Sequence, residues 1–316
     1  MKYLKTALAT LLGATMMTGP VLAQFPEQPI TFIIPYGPGG TSDIGARTWG
    51  PYMEECLGTS IVFVNRPGAG GEVGFAELAT AEPDGYTIGA LNVPNSPVGA
   101  ITKENPAYSM DDFAYLGNLY GSIVSINAKA GGEFETLEDL VAAAKERQVN
   151  MGISNFGADD HIKMLNFMTD AGIQFTFIPL ADAASSRNAV IGGHVGVSGN
   201  SFTEVVGFQD ELQTLAIASP ERRPELPDVP TFVEQGYDVI GGSSHVIGAP
   251  AGTPEEIVEQ YRQCFMEVAE NPEFLADAEE RALLMSVMSG EETAEWIAKE
   301  TETLRALWES DPWVTP

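Results

Sequence analysis

Ile30-Thr31-Phe32-Ile33-Ile34-Pro35-Tyr36-Gly37-Pro38-Gly39-Gly40-Thr41-Ser42-Asp43 is the stretch that decides the fold. Five apolar or β-branched residues make a strand. A proline- and glycine-rich turn follows, and then a helical pattern over residues 43–57 that Gly58 closes. The same unit recurs at once. A strand over 61–64 leads into a glycine loop at 66–71, a helix to about residue 81, a Pro83-Asp84-Gly85 turn and a third strand over 86–91. Strands that alternate with helices predict an α/β fold with parallel sheets. In such sheets ligands sit beyond the carboxyl ends of the strands, where both glycine loops lie.

The alternation continues downstream. Strands are expected at 123–127, 150–154, 175–179, 195–198 and 215–218, and helices at 136–147, 161–170 and 185–192. Thr136-Leu137-Glu138-Asp139 pairs a cap with an acid three residues on. Residues 220–230 hold four prolines and read as a surface loop. Thr253-Pro254-Glu255-Glu256 and Ser289-Gly290-Glu291-Glu292 each carry a helix-start signal, with Thr253 as cap and Pro254 at the first helical position. One sheet for so long a chain would be large. Two lobes are expected, each a mainly parallel sheet flanked by helices, with a hinge between. Lobe 1 takes residues 24–121 plus 246–316 and lobe 2 takes 122–245, with crossings near 119–125 and 241–249.

The first 23 residues stand outside that fold. Lys2 and Lys5 precede an apolar run over 7–17 that is too short to span a bilayer; Gly19-Pro20 and Val21-Leu22-Ala23 follow. This is the pattern of a secretory leader cut after Ala23, the alternative being an N-terminal anchor. Gln24 follows the cut, not a cysteine for lipid attachment. No later segment is apolar enough to cross a membrane, so the mature product is expected to be soluble and periplasmic. The formal charge is −28, and loss of the two leader lysines makes the mature chain more acidic still. So negative a surface disfavours nucleic acid and anionic lipid as partners. It does not forbid an anionic ligand, because backbone amides act locally. Cys56 and Cys264 are the two cysteines. In an exported chain they form one disulfide or remain two buried thiols, and so far apart they make no metal site.

The first glycine loop leaves backbone N–H groups open at a helix N-terminus, a setting that attracts a carboxylate or phosphate. Thr41, Ser42 or Asp43 is positioned to cap that helix. No Gly-Lys-Ser/Thr follows, so it is not a phosphate-binding P-loop. The second loop, Asn65-Arg66-Pro67-Gly68-Ala69-Gly70-Gly71-Glu72-Val73-Gly74, misses the dinucleotide fingerprint at Val73. Either loop alone is equally a tight turn with no ligand; side by side, two such loops suit the two oxygens of one carboxylate. Arg66 reads as a ligand cation or, more simply, an outward ion pair. His161, His194 and His245 lack metal-ligand spacing and read as packing or capping residues. No Gly-x-Ser-x-Gly elbow occurs, and Ser154, Asp159 and His161 lie close in sequence without defining a triad. No cofactor, metal or catalytic group is expected.

Taken in order, these motifs resemble the substrate-binding proteins of tripartite tricarboxylate transporters, the TctC or Bug receptor family. The likeness runs through Phe25-Pro26 to Pro29-Ile30, Gly37-Pro38-Gly39-Gly40 to Asp43, Ala46-Arg47, Val64 to Gly71 and Pro83-Asp84-Gly85-Tyr86-Thr87. Late in the chain it includes Leu226-Pro227-Asp228-Val229-Pro230-Thr231 and Ala249-Pro250-Ala251-Gly252-Thr253-Pro254. The resemblance implies a monomeric, hinged periplasmic receptor that clasps a small carboxylate and delivers it to the membrane subunits of such a transporter. It places Tyr36, Gly39, Gly40, Thr41, Asp43, Ala69 and Gly70 at the carboxylate, with Ser154, Asp159, Asp160 and His161 of the other lobe reading the rest of the ligand.

The second lobe departs from the family pattern. Asp159 and Asp160 stand where small hydroxyls are common, Leu180-Ala181-Asp182-Ala183 replaces Tyr-Lys/Arg-Gly-Gly, and Gly196 replaces a strand aspartate. If Asp159 or Asp160 faces the cleft, it repels a second ligand carboxylate by about 1–4 kcal/mol. A monocarboxylate, or one bearing an amine or amide, then suits better than citrate. If both acids only cap the following helix, that discrimination disappears. Two rival functions are a periplasmic receptor that feeds a sensor kinase, which shares every feature above, and a nucleotide-dependent enzyme, which requires the fingerprint that the second loop misses.

Overall fold

The computed structural model describes residues 25–180, 182–310 and 312; the expected leader and its cleavage point lie outside them. β1 (Ile30–Ile34) leads through the first glycine loop into α1 (Thr41–Leu57), and β2 (Ile61–Asn65) through the second into α2 (Glu72–Ala79). β3 (Thr87–Val93), α3 (Asn95–Ile101) and β4 (Phe113–Gly121) follow. β1 pairs in parallel with both β2 and β3. It is buried on both faces, as a central parallel strand must be. Ile30, Phe32 and Ile34 pack under α1, and Ile33 packs against Phe75 and Leu78 of α2.

The chain then crosses to a second sheet. Its elements are β5 (Val124–Lys129), α4 (Leu137–Glu146), β6 (Val149–Ile153), α5 (Asp159–Ala171), β7 (Phe175–Pro179), α6 (Ala183–Ile191), β8 (Val197–Ser201) and β9 (Leu212–Ile217). Thr136 caps α4 through the expected reciprocal pair with Asp139. The chain returns in β10 (Ser244–Pro250) and finishes with α7 (Glu255–Glu270), α8 (Pro272–Glu280), β11 (Leu284–Ser289) and α9 (Gly290–Ser310).

The strand orders are β11-β4-β10-β3-β1-β2 and β7-β6-β8-β5-β9, giving the two lobes flanked by helices. Parallel pairing is confined to β2-β1-β3 and β7-β6-β8; β10, β4 and β11 in one sheet, and β5 and β9 in the other, run antiparallel. The sheets are therefore mixed where a mainly parallel arrangement was expected. The reason is topological: β4, β5, β9 and β10 are the strands that carry the chain between lobes, and they return without a crossover helix. Ser244 and His245 already pair with β3 and β4, so the return crossing ends at Ser243.

The two crossings lie side by side. Ser122 N donates to Ser243 O at 2.7 Å, and Val124 N to Gly241 O at 3.1 Å. At Gly242 a Cβ would fall 2.4 Å from Ser122 O, so only glycine lets the strands approach this closely. Away from the hinge the lobes also meet through an apolar cluster of Val98 (α3), Ile162 (α5) and Leu304 (α9).

Helix starts differ from expectation twice. Gly40 is the N-cap of α1 and no side chain caps it; the Asp43 carboxylate reaches back to Gly39 N instead. α7 begins at Glu255 with Pro254 in an extended conformation before it, because the Thr253 hydroxyl donates to Pro250 O in the preceding turn. A disulfide joins Cys56 of α1 to Cys264 of α7, with Cα atoms 5.8 Å apart.

Candidate ligand-binding site

Six parallel strands, three per lobe, direct their carboxyl ends at one cleft of about 670 Å³, open to solvent. After β1 come Tyr36, Gly37, Gly40, Thr41 and Ser42; Gly70 follows β2, and Asn92 and Asn95 flank the end of β3. From the second lobe, Ser154, Asn155 and Asp159 follow β6, Asp182 follows β7, and Ser201 and Glu204 follow β8; Ser243 and His245 close the floor at the hinge. This is the place that the strand geometry of α/β sheets reserves for ligands.

Among the residues singled out in the sequence, Tyr36, Gly40, Thr41, Gly70, Ser154 and Asp159 line the cleft. Gly39 and Ala69 are exposed on the outer side of their turns. Asp43 is buried in a local network, accepting from Gly39 N at 3.0 Å, Arg47 Nε at 2.9 Å and Asn65 Nδ2 at 3.1 Å. It shapes the loop from behind. Asp160 accepts from Ser154 N, Ser154 Oγ and His161 N, fastening the β6–α5 turn. His161 takes a hydrogen bond from Gly157 N on Nδ1 and packs between the rings of Phe156 and Phe177; burial holds its pKa down at about 4. Arg66 makes an exposed ion pair with Glu77, the simpler of its two readings.

The loops touch across the cleft. Tyr36 OH donates to Gly70 O at 3.3 Å, tying the two glycine turns together. Gly70 has φ +67°, and a Cβ there would fall 2.1 Å from Asn155 Nδ2 of the other lobe. Thr41 N, at the start of α1, donates to Glu204 Oε1 at 3.3 Å. A carboxylate of lobe 2 thus sits on an amide of the first glycine turn. Burial pushes the Glu204 carboxyl up to about 7, against the pull of the Thr41 amide and the Arg187 charge. Burial also raises Asp159. It takes Asp160 to about 8, with the neighbouring Asp159 charge as the second cause.

His245, Asn92, Ser243 and Glu204 were not singled out as ligand residues in the sequence. His245 stacks on Tyr120, ring centroids 4.5 Å apart. Asn92 Nδ2 lies 2.9 Å from His245 Nδ1, and Ser42 Oγ lies 3.2 Å from it. Burial drops the His245 pKa to about 3, so the ring is neutral. With Nδ1 accepting from the Asn92 amide, its one proton resides on Nε2. That Nε2 is buried and has no partner among the described residues; the same holds for Thr41 Oγ1, Ser243 Oγ, Asn92 Oδ1, Asp159 Oδ2 and Glu204 Oε2. Buried polar atoms are normally paired. Six of them surround this one cleft.

A hinged pair of α/β lobes with an amide- and hydroxyl-lined cleft between them defines a solute-binding protein. The chain belongs to the tripartite tricarboxylate transporter family of receptors, whose model matches residues 46–310. It is 27% identical over 292 residues to the UPF0065 protein in the gbd 5' region of Cupriavidus necator, covering 90% of this chain and 88% of that one. Two solved structures share the fold. The periplasmic binding protein BugD superposes with TM-score 0.83 at 24% identity, over 90% of this chain and 98% of the other. MatC from Rhodopseudomonas palustris with bound malate gives 0.81 at 23%, over 89% and 99%. Among the described residues no helix is long and apolar enough to cross a membrane.

Proposed function

We propose that this chain captures a small carboxylate in the periplasm and presents it, with lobes closed, to the membrane subunits of a tripartite tricarboxylate-type transporter. One observation carries the reading: loops from both lobes converge on a single cleft whose buried hydroxyl and imidazole donors lack partners. The malate seen in MatC supports a carboxylate as the class of ligand. On this reading Tyr36, Gly40, Thr41, Ser42, Gly70 and His245 hold the carboxylate from lobe 1 (24–121 and 244–316), and Ser154 and Asp159 face it from lobe 2. Gly39, Asp43, Ala69, Asp160 and His161 support the turns that do so. Binding favours the closed form because both lobes contact the ligand only there, and the closed form is what the transporter recognises. The protein acts as a monomeric receptor, without covalent chemistry, after a leader is cut behind Ala23.

The test is thermal-shift and calorimetric screening of the mature chain with carboxylates of two to six carbons. A ligand at a hundred times its dissociation constant adds about 2.7 kcal/mol of stability. Failure of every carboxylate to bind would refute the reading.

A further inference from the structure

We propose that the ligand bears a cationic nitrogen besides its carboxylate, and that Asp159 and Glu204 of lobe 2 hold that nitrogen. The inference rests on the carboxylate-capture reading and narrows it.

The cleft makes two separate demands. One is for an acceptor. Thr41 Oγ1, Ser243 Oγ and His245 Nε2 are buried, with 4%, 7% and 3% of their residues exposed, and they have nothing to donate to among the described residues. All three belong to lobe 1 or the hinge and suit a carboxylate. The other demand is for a donor. Asp159, Asp182 and Glu204 line the cleft, and among the described residues no lysine or arginine does. Asp182 is committed, its Oδ1 accepting from Ser185 N as the cap of α6. Asp159 Oδ2 and Glu204 Oε2 are buried and unpartnered.

The nearest cations stand outside the cleft lining. Arg187 donates to the backbone carbonyl of Glu204 and lies over the Phe208 ring at 4.1 Å. Lys163, one turn along α5 from Asp159, draws the Asp159 carboxyl down against its burial but does not line the cleft. Two carboxylates that repel one another in a buried cleft are best satisfied by a ligand cation; a second ligand carboxylate adds to the repulsion. Burial raises both carboxyls, against the pull of Lys163 on Asp159 and of Arg187 on Glu204, and the Asp159 charge raises Glu204 further.

The experiment is calorimetric titration of the mature chain with sets matched by length. One set is 4-aminobutanoate, 4-hydroxybutanoate, pentanoate and glutarate, with homologues one methylene shorter and longer; a second compares 2-amino with 2-hydroxy acids. In whichever set binds, the ammonium member should be at least tenfold tighter than its hydroxyl, alkyl and dicarboxylate counterparts. Asp159→Asn and Glu204→Gln should each erase that preference by weakening the ammonium member at least tenfold, and a cooperative melting curve for each variant reports an intact fold. Equal or tighter binding of the hydroxyl, alkyl or dicarboxylate member, or a preference that survives both substitutions, overturns the proposal and leaves carboxylate capture standing. Binding of no carboxylate at all overturns both.

Discussion

Glu204→Gln should change how stability depends on pH, and the sign follows from the structure. Glu204 is buried, and its carboxyl is raised from 4.5 to about 7. A carboxyl whose folded pKa lies above its unfolded value binds its proton more tightly in the native state. The contribution of Glu204 to native stability is then greatest below about pH 4.5 and falls as pH rises to about 7, where the folded protein finally ionises the group. At 1.36 kcal/mol per pKa unit the loss is up to about 3 kcal/mol. Glutamine keeps an oxygen to accept from Thr41 N and removes the titration. Asp160, His161 and His245 titrate in both proteins and cancel, so the difference reports Glu204 together with its coupling to Asp159. Urea unfolding at pH 4.5, 5.5, 6.5 and 7.5 measures it. The wild-type free energy minus that of the variant should fall by up to about 3 kcal/mol across the series. A difference independent of pH would mean that Glu204 is hydrated in solution, so that the closed contact with Thr41 is not populated, and the reasoning would fail.

Gly70→Ala places a Cβ 2.1 Å from Asn155 Nδ2 in a left-handed backbone. It should wedge the lobes apart and weaken ligand binding roughly tenfold, about 1.4 kcal/mol, with a larger radius of gyration in X-ray scattering of the liganded protein. Reduction of Cys56–Cys264, which closes a loop of 208 residues, should lower stability by up to about 5 kcal/mol and the melting temperature by about 10 °C, read in scans with and without dithiothreitol. Thr136→Ala removes the hydroxyl that accepts from Asp139 N and donates to Asp139 Oδ2, leaving the backbone bond from residue 136 to Asp139, and should cost about 1 kcal/mol in urea unfolding, without altering ligand affinity.

Much of the fold was written in periodicity. β1 through β3 were legible because apolar runs switch to helical spacing across glycine turns, and α4 and α9 announced themselves through Thr136 and Ser289, both of which pair with the acid three residues on. β4, β10 and β11 were not. β4 contains Gly117, Gly121 and an irregular register, and β10 contains Gly248 and ends in Pro250. Residues that weaken a strand locally are tolerated there because neighbours on both sides supply the pairing. Those antiparallel strands also account for the mixed sheets, since local pattern carries no information about which strand returns beside which.

The cleft was legible only where its requirement is conformational. Gly70 shows in the sequence because its φ of +67° requires glycine, whereas Gly40, in extended backbone at φ −83°, stands out only as part of the glycine-rich turn. Glu204 is one of 44 acidic residues, and nothing local separates it from a surface charge. His245 becomes a cleft residue only because β10 lies against β3, which brings its ring to Asn92. Applying the carboxyl-end rule to all six parallel strands, and not only to the two with glycine loops, would have reached Asn92 and Glu204. The paired acids of α5 show how the remaining ambiguity resolves. Successive helical residues project about 100° apart, so Asp159 and Asp160 cannot serve the same neighbour. Asp160 turns inward to fasten the Ser154 turn, and Asp159 is left lining the cleft. A local structural role and a place at the cleft, posed as alternatives for the pair, fall to different members of it.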